Sequence, residues 1–366
     1  MMRENYMRLA MELALKGGNR VSPNPLVGAV IVKDGEIIGQ GYHEEYGGPH
    51  AEINALRSAA RSPTGATMYV TLEPCCHHGK TPPCTEAVIR SGISKVVVGA
   101  KDPNPLVAGR GMEILRESGI SVEMSALESE CEALNRIFFH YIRTGTPYVV
   151  MKYAMTLDGK TATSSGRSRW ISGEVSRENV HRTRNMLTAI MTGSGTVLAD
   201  DPELTCRIEG GRDPIRIICD SRLRIPLDAK VFRNTDRIRT IVATCTKDRL
   251  RIENLENAGC RVIRVKERDG HLDLNMLMKK LGEEKIDSIL LEGGSTLNAA
   301  ALESGIVSSV QAYIAPKIFG GEDAKGPVGG IGVFSPEMAY MMKNRKITLM
   351  DDDILLEYEV ERCLQE

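Results

Sequence analysis

The sequence predicts two α/β domains in tandem, and three observations carry that expectation. The chain has 366 residues, enough for two domains or one large α/β domain. Short apolar runs alternate with helical patterns along both halves, which implies sheets covered by helices. Arg143-Thr144-Gly145-Thr146-Pro147 interrupts this alternation with Gly and Pro. No repeat joins the two halves, so the expected domains, 1–146 and 147–366, are unrelated to each other.

In the first half, spacing of Met, Leu and Ala through Leu15 reads as an amphipathic helix. Leu26–Val32 and Glu36–Tyr42 read as strands joined by the turn Lys33-Asp34-Gly35. Ala51–Arg61 has helical spacing, with Ile53, Leu56 and Ala60 on one face. Strands follow at Thr67–Leu72, Ser94–Ala100 and Ile120–Met124. Helices are expected at Thr85–Ser91, Gly111–Ser118 and, as one long element, Leu127–Ile142. In the second half, strands are expected from Tyr148 and at Ala189–Thr192, Ile215–Asp220, Arg239–Ala243, Arg261–Val265, Ser288–Leu291 and Val310–Ile314. Helices are expected at Glu174–Arg184, Leu272–Leu281 and Thr296–Ser304, and two last strands at Arg345–Met350 and Ile354–Val360.

Composition narrows the function classes. The hydrophobic fraction is 42% and the charged fraction 26%, as in ordinary globular proteins. No apolar run is long enough to span a bilayer, and the N-terminus lacks the apolar core of a signal peptide. Net charge is −1 with Lys and Arg scattered, which argues against a nucleic-acid partner. Nine cysteines without a secretory signal point to a reducing cytoplasm rather than a disulfide framework.

The residues that carry chemistry are His50-Ala51-Glu52 and, after a strand, Glu73-Pro74-Cys75 through Cys84. A catalytic zinc needs three protein ligands and one open position. His50, Cys75 and Cys84 would supply the three, with His50 and Cys84 at helix starts that favour thiolate. Glu52 lies two residues past His50 and can reach the water without ligating. Zinc lowers the pKa of bound water to about 7, and Glu52 would shuttle its proton to the ring and to departing ammonia. This His-x-Glu with Pro-Cys is the signature of zinc deaminases, which usually have two residues between the cysteines, against eight here. Cys76 is the nearest competitor to Cys75. His77 and His78 could ligate, but better suit substrate or solvent.

The string Thr71-Leu72-Glu73-Pro74-Cys75-Cys76-His77-His78-Gly79-Lys80-Thr81-Pro82-Pro83-Cys84 resembles the longer cysteine loop of the riboflavin-biosynthesis deaminases. Val21-Ser22-Pro23-Asn24-Pro25-Leu26-Val27-Gly28-Ala29-Val30 and Lys101-Asp102-Pro103-Asn104-Pro105 also match that family. The resemblance implies a cytidine-deaminase-like three-layer α/β/α domain that acts on a ribosylated diaminopyrimidinone 5′-phosphate. It implies that Asn24, His43, His77, Lys80, Asp102 and Asn104 bind this substrate. Taken without the family, Asp102–Pro105 reads as a plain turn after a strand, and His43 as an ordinary strand-end histidine.

In the second half, Glu292-Gly293-Gly294-Ser295-Thr296-Leu297 follows an apolar strand and opens a helix, a junction suited to a phosphate. It is not the Gly-x-Gly-x-x-Gly fingerprint. Ser221 and Arg222 after a strand suit the 2′-phosphate of NADP, although the adjacent Asp220 is the type of residue an NAD site uses. Lys152–Lys160 and Ser168-Arg169-Trp170-Ile171-Ser172 resemble the reductase domain of the same family, which is dihydrofolate-reductase-like α/β in fold. The resemblance implies NADPH bound by Ala154, Trp170, Thr196, Asp200, Ser221, Gly294, Ser295, Thr296, Leu297, Asn298, Ala299 and Ala300. It implies sugar-phosphate bound by Ser168, Arg184, Leu204, Arg207 and Glu292. Arg184 and Arg207 suit bidentate phosphate recognition. Lys152 and Asp200 are candidate polarising or proton-donating groups. The expected partners are small phosphorylated pyrimidines, with no nucleic acid or membrane, and the expected assembly is a homo-oligomer.

Two other functions compete. A nucleic-acid deaminase shares the zinc chemistry but needs a basic groove. A structural zinc module needs a fourth protein ligand and gives Glu52 no purpose.

Overall fold

The computed structural model describes residues 2–78, 82–105 and 107–361, which fall into two units, Met1–Gly145 and Thr146–Glu366.

Unit 1 is built on a five-stranded sheet. The helix α1 (Met2–Leu15) precedes the hairpin β1 (Gly28–Lys33) and β2 (Glu36–Tyr42). Then come α2 (Ala51–Arg57), β3 (Thr67–Leu72), α3 (Cys84–Arg90), β4 (Lys95–Ala100), α4 (Arg110–Glu117), β5 (Ser121–Met124), α5 (Glu128–Leu134) and α6 (Arg136–Thr144). The strand order is β2-β1-β3-β4-β5, with β1 antiparallel to both neighbours and β3, β4 and β5 parallel. Successive strand residues point to opposite faces. Ala29, Ile31, Met68, Val70, Val96 and Val98 pack with Ala55, Val88 and Leu115 from α2, α3 and α4. Val30, Val32, Tyr69 and Val97 pack on the other face with Met7, Cys131 and Phe139 from α1, α5 and α6. Two apolar faces explain why these strands read as continuous apolar runs. Gly41 lets α2 lie against β2, since a Cβ there would come within 2.3 Å of Ala55 N. That close approach seats the first turn of α2, which carries Glu52.

One expected element divides. The run Leu127–Ile142 is two helices separated at Asn135. The Asn135 carboxamide accepts from Leu26 N and donates to Leu26 O, both at 2.8 Å. This buried amide pair ties the α5–α6 junction to the strand entry next to Asn24.

Unit 2 holds a nine-stranded sheet. Its elements are β6 (Tyr148–Thr156), α7 (Glu174–Met186), β7 (Ala189–Gly193), α8 (Ser194–Asp200), β8 (Ile215–Cys219), β9 (Thr240–Thr244), α9 (Arg249–Asn257) and β10 (Arg261–Arg264). A small hairpin, β11 (Glu267–Arg268) and β12 (His271–Leu272), precedes α10 (Leu274–Glu283), β13 (Ser288–Leu291), α11 (Ser295–Glu303), β14 (Val307–Ala315), β15 (Met342–Met350) and β16 (Asp353–Val360). The order is β10-β9-β8-β7-β13-β6-β14-β16-β15. The first seven strands are parallel, and β14, β16 and β15 are antiparallel. Met191, Ile217 and Leu291 pack under α10 and α11, while Ile190, Ile218 and Val242 pack on the opposite face with Val197 and Leu255 of α8 and α9. The expectation omitted α8 and α9. Asp248 caps α9 by accepting from Arg251 N, the Asp-before-helix signal that marks such starts.

Candidate active site

In unit 1, three segments converge at one end of the sheet. His50 precedes the first turn of α2, Cys75 follows β3, and Cys84 opens α3. The ligand atoms of these three residues lie within 4.8 Å of one another. His50 Nδ1 is 3.5 Å from Cys75 Sγ and 3.3 Å from Cys84 Sγ. Tetrahedral zinc with Zn–N of about 2.0 Å and Zn–S of about 2.3 Å requires an N···S edge of about 3.5 Å. The donor set and both edges therefore fit a zinc ion. The Cys84 amide donates to Cys75 Sγ at 3.4 Å. A hydrogen bond from the Cys84 thiol, then His50 and that amide, push Cys75 down to about 4 against the opposing effect of burial. Neither Cys76 nor His77 nor His78 belongs to the cluster, which leaves Cys75 as the ligand of the pair.

Glu52 is buried and lines a cavity of about 340 Å³ together with His50 and Cys75. Burial first, and then the Cys75 sulfur, push its carboxyl up to about 7. A carboxyl balanced between its two protonation states near neutrality can both accept and return a proton.

Asn24, His43, His77, Asp102 and Asn104 line the same cavity. His43 is buried, with Nδ1 3.0 Å from Pro49 O and Nε2 3.1 Å from Asn24 Nδ2. Burial lowers its pKa, so the ring is neutral, donating at Nδ1 and accepting from Asn24. Asp102 accepts from Asn104 N at 2.8 Å, and burial pushes it up to about 6. Lys80 lies outside the described residues.

The sequence reading missed Glu73. Its buried carboxylate accepts from the backbone N–H groups of Asp102 (3.2 Å), Gly109 (2.9 Å) and Met112 (3.2 Å). It thus fastens the Asp102 turn and the start of α4 beside Cys75. Its place directly before Pro74-Cys75 was visible; its partners, 29, 36 and 39 residues on, were not.

In unit 2, a groove of about 590 Å³ opens at the C-terminal ends of the parallel strands. Thr196, Asp200, Ser221, Ala300 and the Gly294–Leu297 segment line it, as does Ser168. The loops after β7 and β13 meet there, because a Cβ on Gly294 would sit 3.2 Å from Thr196 Oγ1. Four expected cofactor residues are not in the lining. Ala299 and Asn298 face the interior, where Asn298 Nδ2 donates to Pro327 O at 2.9 Å. Ala154 lies in β6, outside the lining. Trp170 is 61% exposed, with the Arg177 guanidinium 4.7 Å from its ring.

The expected sugar-phosphate residues form a different arrangement. Glu292 accepts from Arg184 Nε (2.6 Å) and Nη2 (3.0 Å) and from Lys152 Nζ (3.1 Å). Arg184 Nη1 donates to Thr205 O at 2.9 Å. The Arg184 fork, expected to hold phosphate, is therefore occupied by a carboxylate. Burial opposes charge on Glu292, but Arg184 and Lys152 prevail and hold it far below the usual carboxylate range. Leu204 is buried, and Arg207 is exposed with Glu203 3.7 Å away.

Known proteins match this geometry along the whole chain. The cytidine and deoxycytidylate deaminase zinc-binding region matches residues 1–100, and the RibD C-terminal domain matches residues 147–356. The riboflavin biosynthesis protein RibD of Actinobacillus pleuropneumoniae is 53% identical over 356 residues, covering 97% of this chain and 95% of its own. The chain belongs to the RibD family. Among RibD structures, Acinetobacter baumannii RibD superposes with a TM-score of 0.88 at 38% identity and covers 99% of both chains. A Thermotoga maritima structure, described as a diaminohydroxyphosphoribosylaminopyrimidine deaminase and 5-amino-6-(5-phosphoribosylamino)uracil reductase, superposes with a TM-score of 0.86 at 39% identity. It covers 98% of this chain and 99% of its own. RibD membership accounts for the pairing of a cytidine-deaminase-like domain with a dihydrofolate-reductase-like one.

Proposed function

We propose that this RibD-family chain catalyses two consecutive steps of riboflavin biosynthesis, and that the residues brought together above carry them. The first is hydrolytic deamination of 2,5-diamino-6-ribosylamino-4(3H)-pyrimidinone 5′-phosphate. The second is reduction of its ribosyl side chain to ribityl. Residues 1–146 carry the first and residues 147–366 the second.

The observation that carries the deaminase reading is a buried carboxyl, Glu52, beside a three-ligand cluster and open to a cavity. His50, Cys75 and Cys84 would hold a zinc ion, which would supply Lewis acidity to the attacking water. Glu52 takes a proton from the attacking water, passes it to the ring nitrogen, and then protonates the departing amine. Water adds to the ring carbon and ammonia leaves. Asn24 and the neutral His43 hold ring and ribose; Asp102 and Asn104 read the ring or ribose edge. His77 lines the cavity and meets the substrate; the family resemblance gives the phosphate to Lys80, a point charge outside the described residues.

For the reductase, NADPH held in the groove of unit 2 would supply the hydride that ribose C1′ accepts. Gly294, Ser295 and Thr296 present backbone N–H groups at the start of α11 to its diphosphate. Thr196, Asp200, Ser221, Leu297 and Ala300 bound the same groove. Lys152, oriented by Glu292, donates a proton to the sugar oxygen released when the ring opens. Arg207 and Ser168 meet the substrate phosphate, while Arg184 acts on the site through Glu292.

Near-neutral charge supports a small phosphorylated pyrimidine rather than nucleic acid as partner. The eight cysteines among the described residues form no disulfide, which supports a cytoplasmic setting. Among the described residues no helix is long and apolar enough to cross a membrane. Exposed Ile331 (90%) and Phe334 (87%) support assembly as a homo-oligomer, which light scattering tests. The central test measures bound metal by mass spectrometry with ammonia release from the pyrimidine. One equivalent of zinc and ammonia release dependent on it are expected. Protein without stoichiometric metal that still releases ammonia would refute the reading.

A further inference from the structure

The two arginines that line the groove of unit 2, Arg222 and Arg224, both follow β8. His271, in β12, also lines the groove. Lys325 lies elsewhere in the lining, accompanied by Asp323. The strand order β8-β7-β13-β6 gives the groove a direction. The glycine junctions Gly193–Thr196 and Gly293–Thr296 sit over β7 and β13, where a diphosphate belongs. Lys152, the group placed at the reacting sugar, is on β6. A dinucleotide with its nicotinamide toward β6 and its diphosphate over β7 and β13 must place its adenosine ribose at β8.

The turn after β8 is built to present arginines there. Leu223 has a φ of 52° and a buried side chain, so the flanking Arg222 and Arg224 both project outward. The turn is tied down by Arg251 Nη1 donating to Leu223 O at 2.7 Å and by Thr244 Oγ1 donating to Ser221 O at 3.0 Å. Arg224 Nη2 donates to Ser194 Oγ at 3.0 Å, which holds the guanidinium at the groove. Asp220, the residue that would favour NAD by accepting from the ribose 2′-hydroxyl, is turned away. Its carboxylate is buried and accepts from Ile225 N at 2.9 Å. The turn after β8 therefore offers a hydroxyl and two guanidinium groups, with its own Asp220 carboxylate turned inward.

Resting on the reading of this groove as the NADPH site, we infer that Arg222 and Arg224 recognise the 2′-phosphate of the cofactor and set the preference for NADPH over NADH. Guanidinium groups suit a phosphate through charge-assisted, forked hydrogen bonds.

The test is fluorescence titration of the full chain with NADPH and with NADH, for wild type, R222A/R224A and R222K/R224K. Wild type is expected to bind NADPH more tightly than NADH. The double alanine variant is expected to raise the Kd for NADPH about 10- to 100-fold and that for NADH less than about twofold. The lysine variant is expected to recover most of the loss. NADH is the internal control, since local unfolding weakens both cofactors alike. Equal weakening of both, an unchanged Kd for NADPH, or a wild type indifferent to the 2′-phosphate each overturns the inference while leaving the groove as a cofactor site. A wild type that binds neither cofactor overturns the reading of the groove itself.

Discussion

Arg184 grips Glu292 through two hydrogen bonds, from Nε to Oε1 at 2.6 Å and from Nη2 to Oε2 at 3.0 Å, joining positions 108 residues apart. Lys152 completes a half-buried triad of two cations on one carboxylate. Removing the shared acid leaves two cations uncompensated, which costs about 3–5 kcal/mol in such settings. Glu292→Gln is expected to lower the unfolding midpoint in denaturant melts and to cut NADPH oxidation at least ~100-fold. A variant as stable and as active as wild type would show that the triad neither holds unit 2 together nor orients Lys152.

Glu52 takes no part in the ligand cluster yet lies next to it. Glu52→Ala is expected to keep zinc content intact while ammonia release falls by about 10²–10⁴-fold, the usual contribution of a positioned acid–base group. Retained turnover would overturn its assignment.

Glu73 acts at one remove. Its carboxylate collects three backbone N–H groups, so Glu73→Ala leaves buried donors unsatisfied, at about 1–3 kcal/mol. Because those donors include Asp102 N, the expected signature is a raised KM for deamination with little change in kcat at saturation. Steady-state kinetics beside a thermal melt separates this from a purely structural loss, which lowers the amount of active enzyme without moving KM.

Asp158 gives a pH prediction. Its carboxylate accepts from Thr156 Oγ1 and from Gly320 N at 2.7 Å, and the Thr156 hydroxyl first, then the Gly320 amide, depress it to about 2. The unfolded value is about 3.9, so this tether contributes fully above about pH 4 and is lost as pH falls through 2. Amide exchange at Phe319 and Gly320 is expected to stay protected at pH 5 and to lose protection near pH 2. In Asp158→Asn the protection is expected to be lower at both pH values. Protection in that variant equal to wild type at pH 5 would show that the carboxylate does not hold the loop.

Much of the fold was legible because period and turn chemistry are local. Thr67–Leu72 and Ser288–Leu291 were bounded correctly from apolar runs alone. The long helix through Asn135 was not, because its break depends on an amide pairing with Leu26 across 109 residues. Helical spacing continues through that junction, and nothing nearby announces the interruption. The α8 and α9 helices were missed for the opposite reason. The first, Ser194–Asp200, carries the weak helix former Gly195 in its first turn, and the start of the second rests on the single cap Asp248.

By itself the sequence determined which chemistry was available: an imidazole, two thiols and a free carboxyl at spacings that suit a catalytic zinc, and glycine junctions after strands in the second half. Tertiary structure alone decided which of these groups meet. It brought the His50 imidazole within 3.5 Å of both the Cys75 and Cys84 sulfurs, gave Arg184 to Glu292 instead of leaving its fork open, and turned Asp220 inward while Arg222 and Arg224 faced the groove. The reason is that residue type and local spacing fix what a side chain can do, whereas its partner is chosen by the packing of strands and helices distant in the chain.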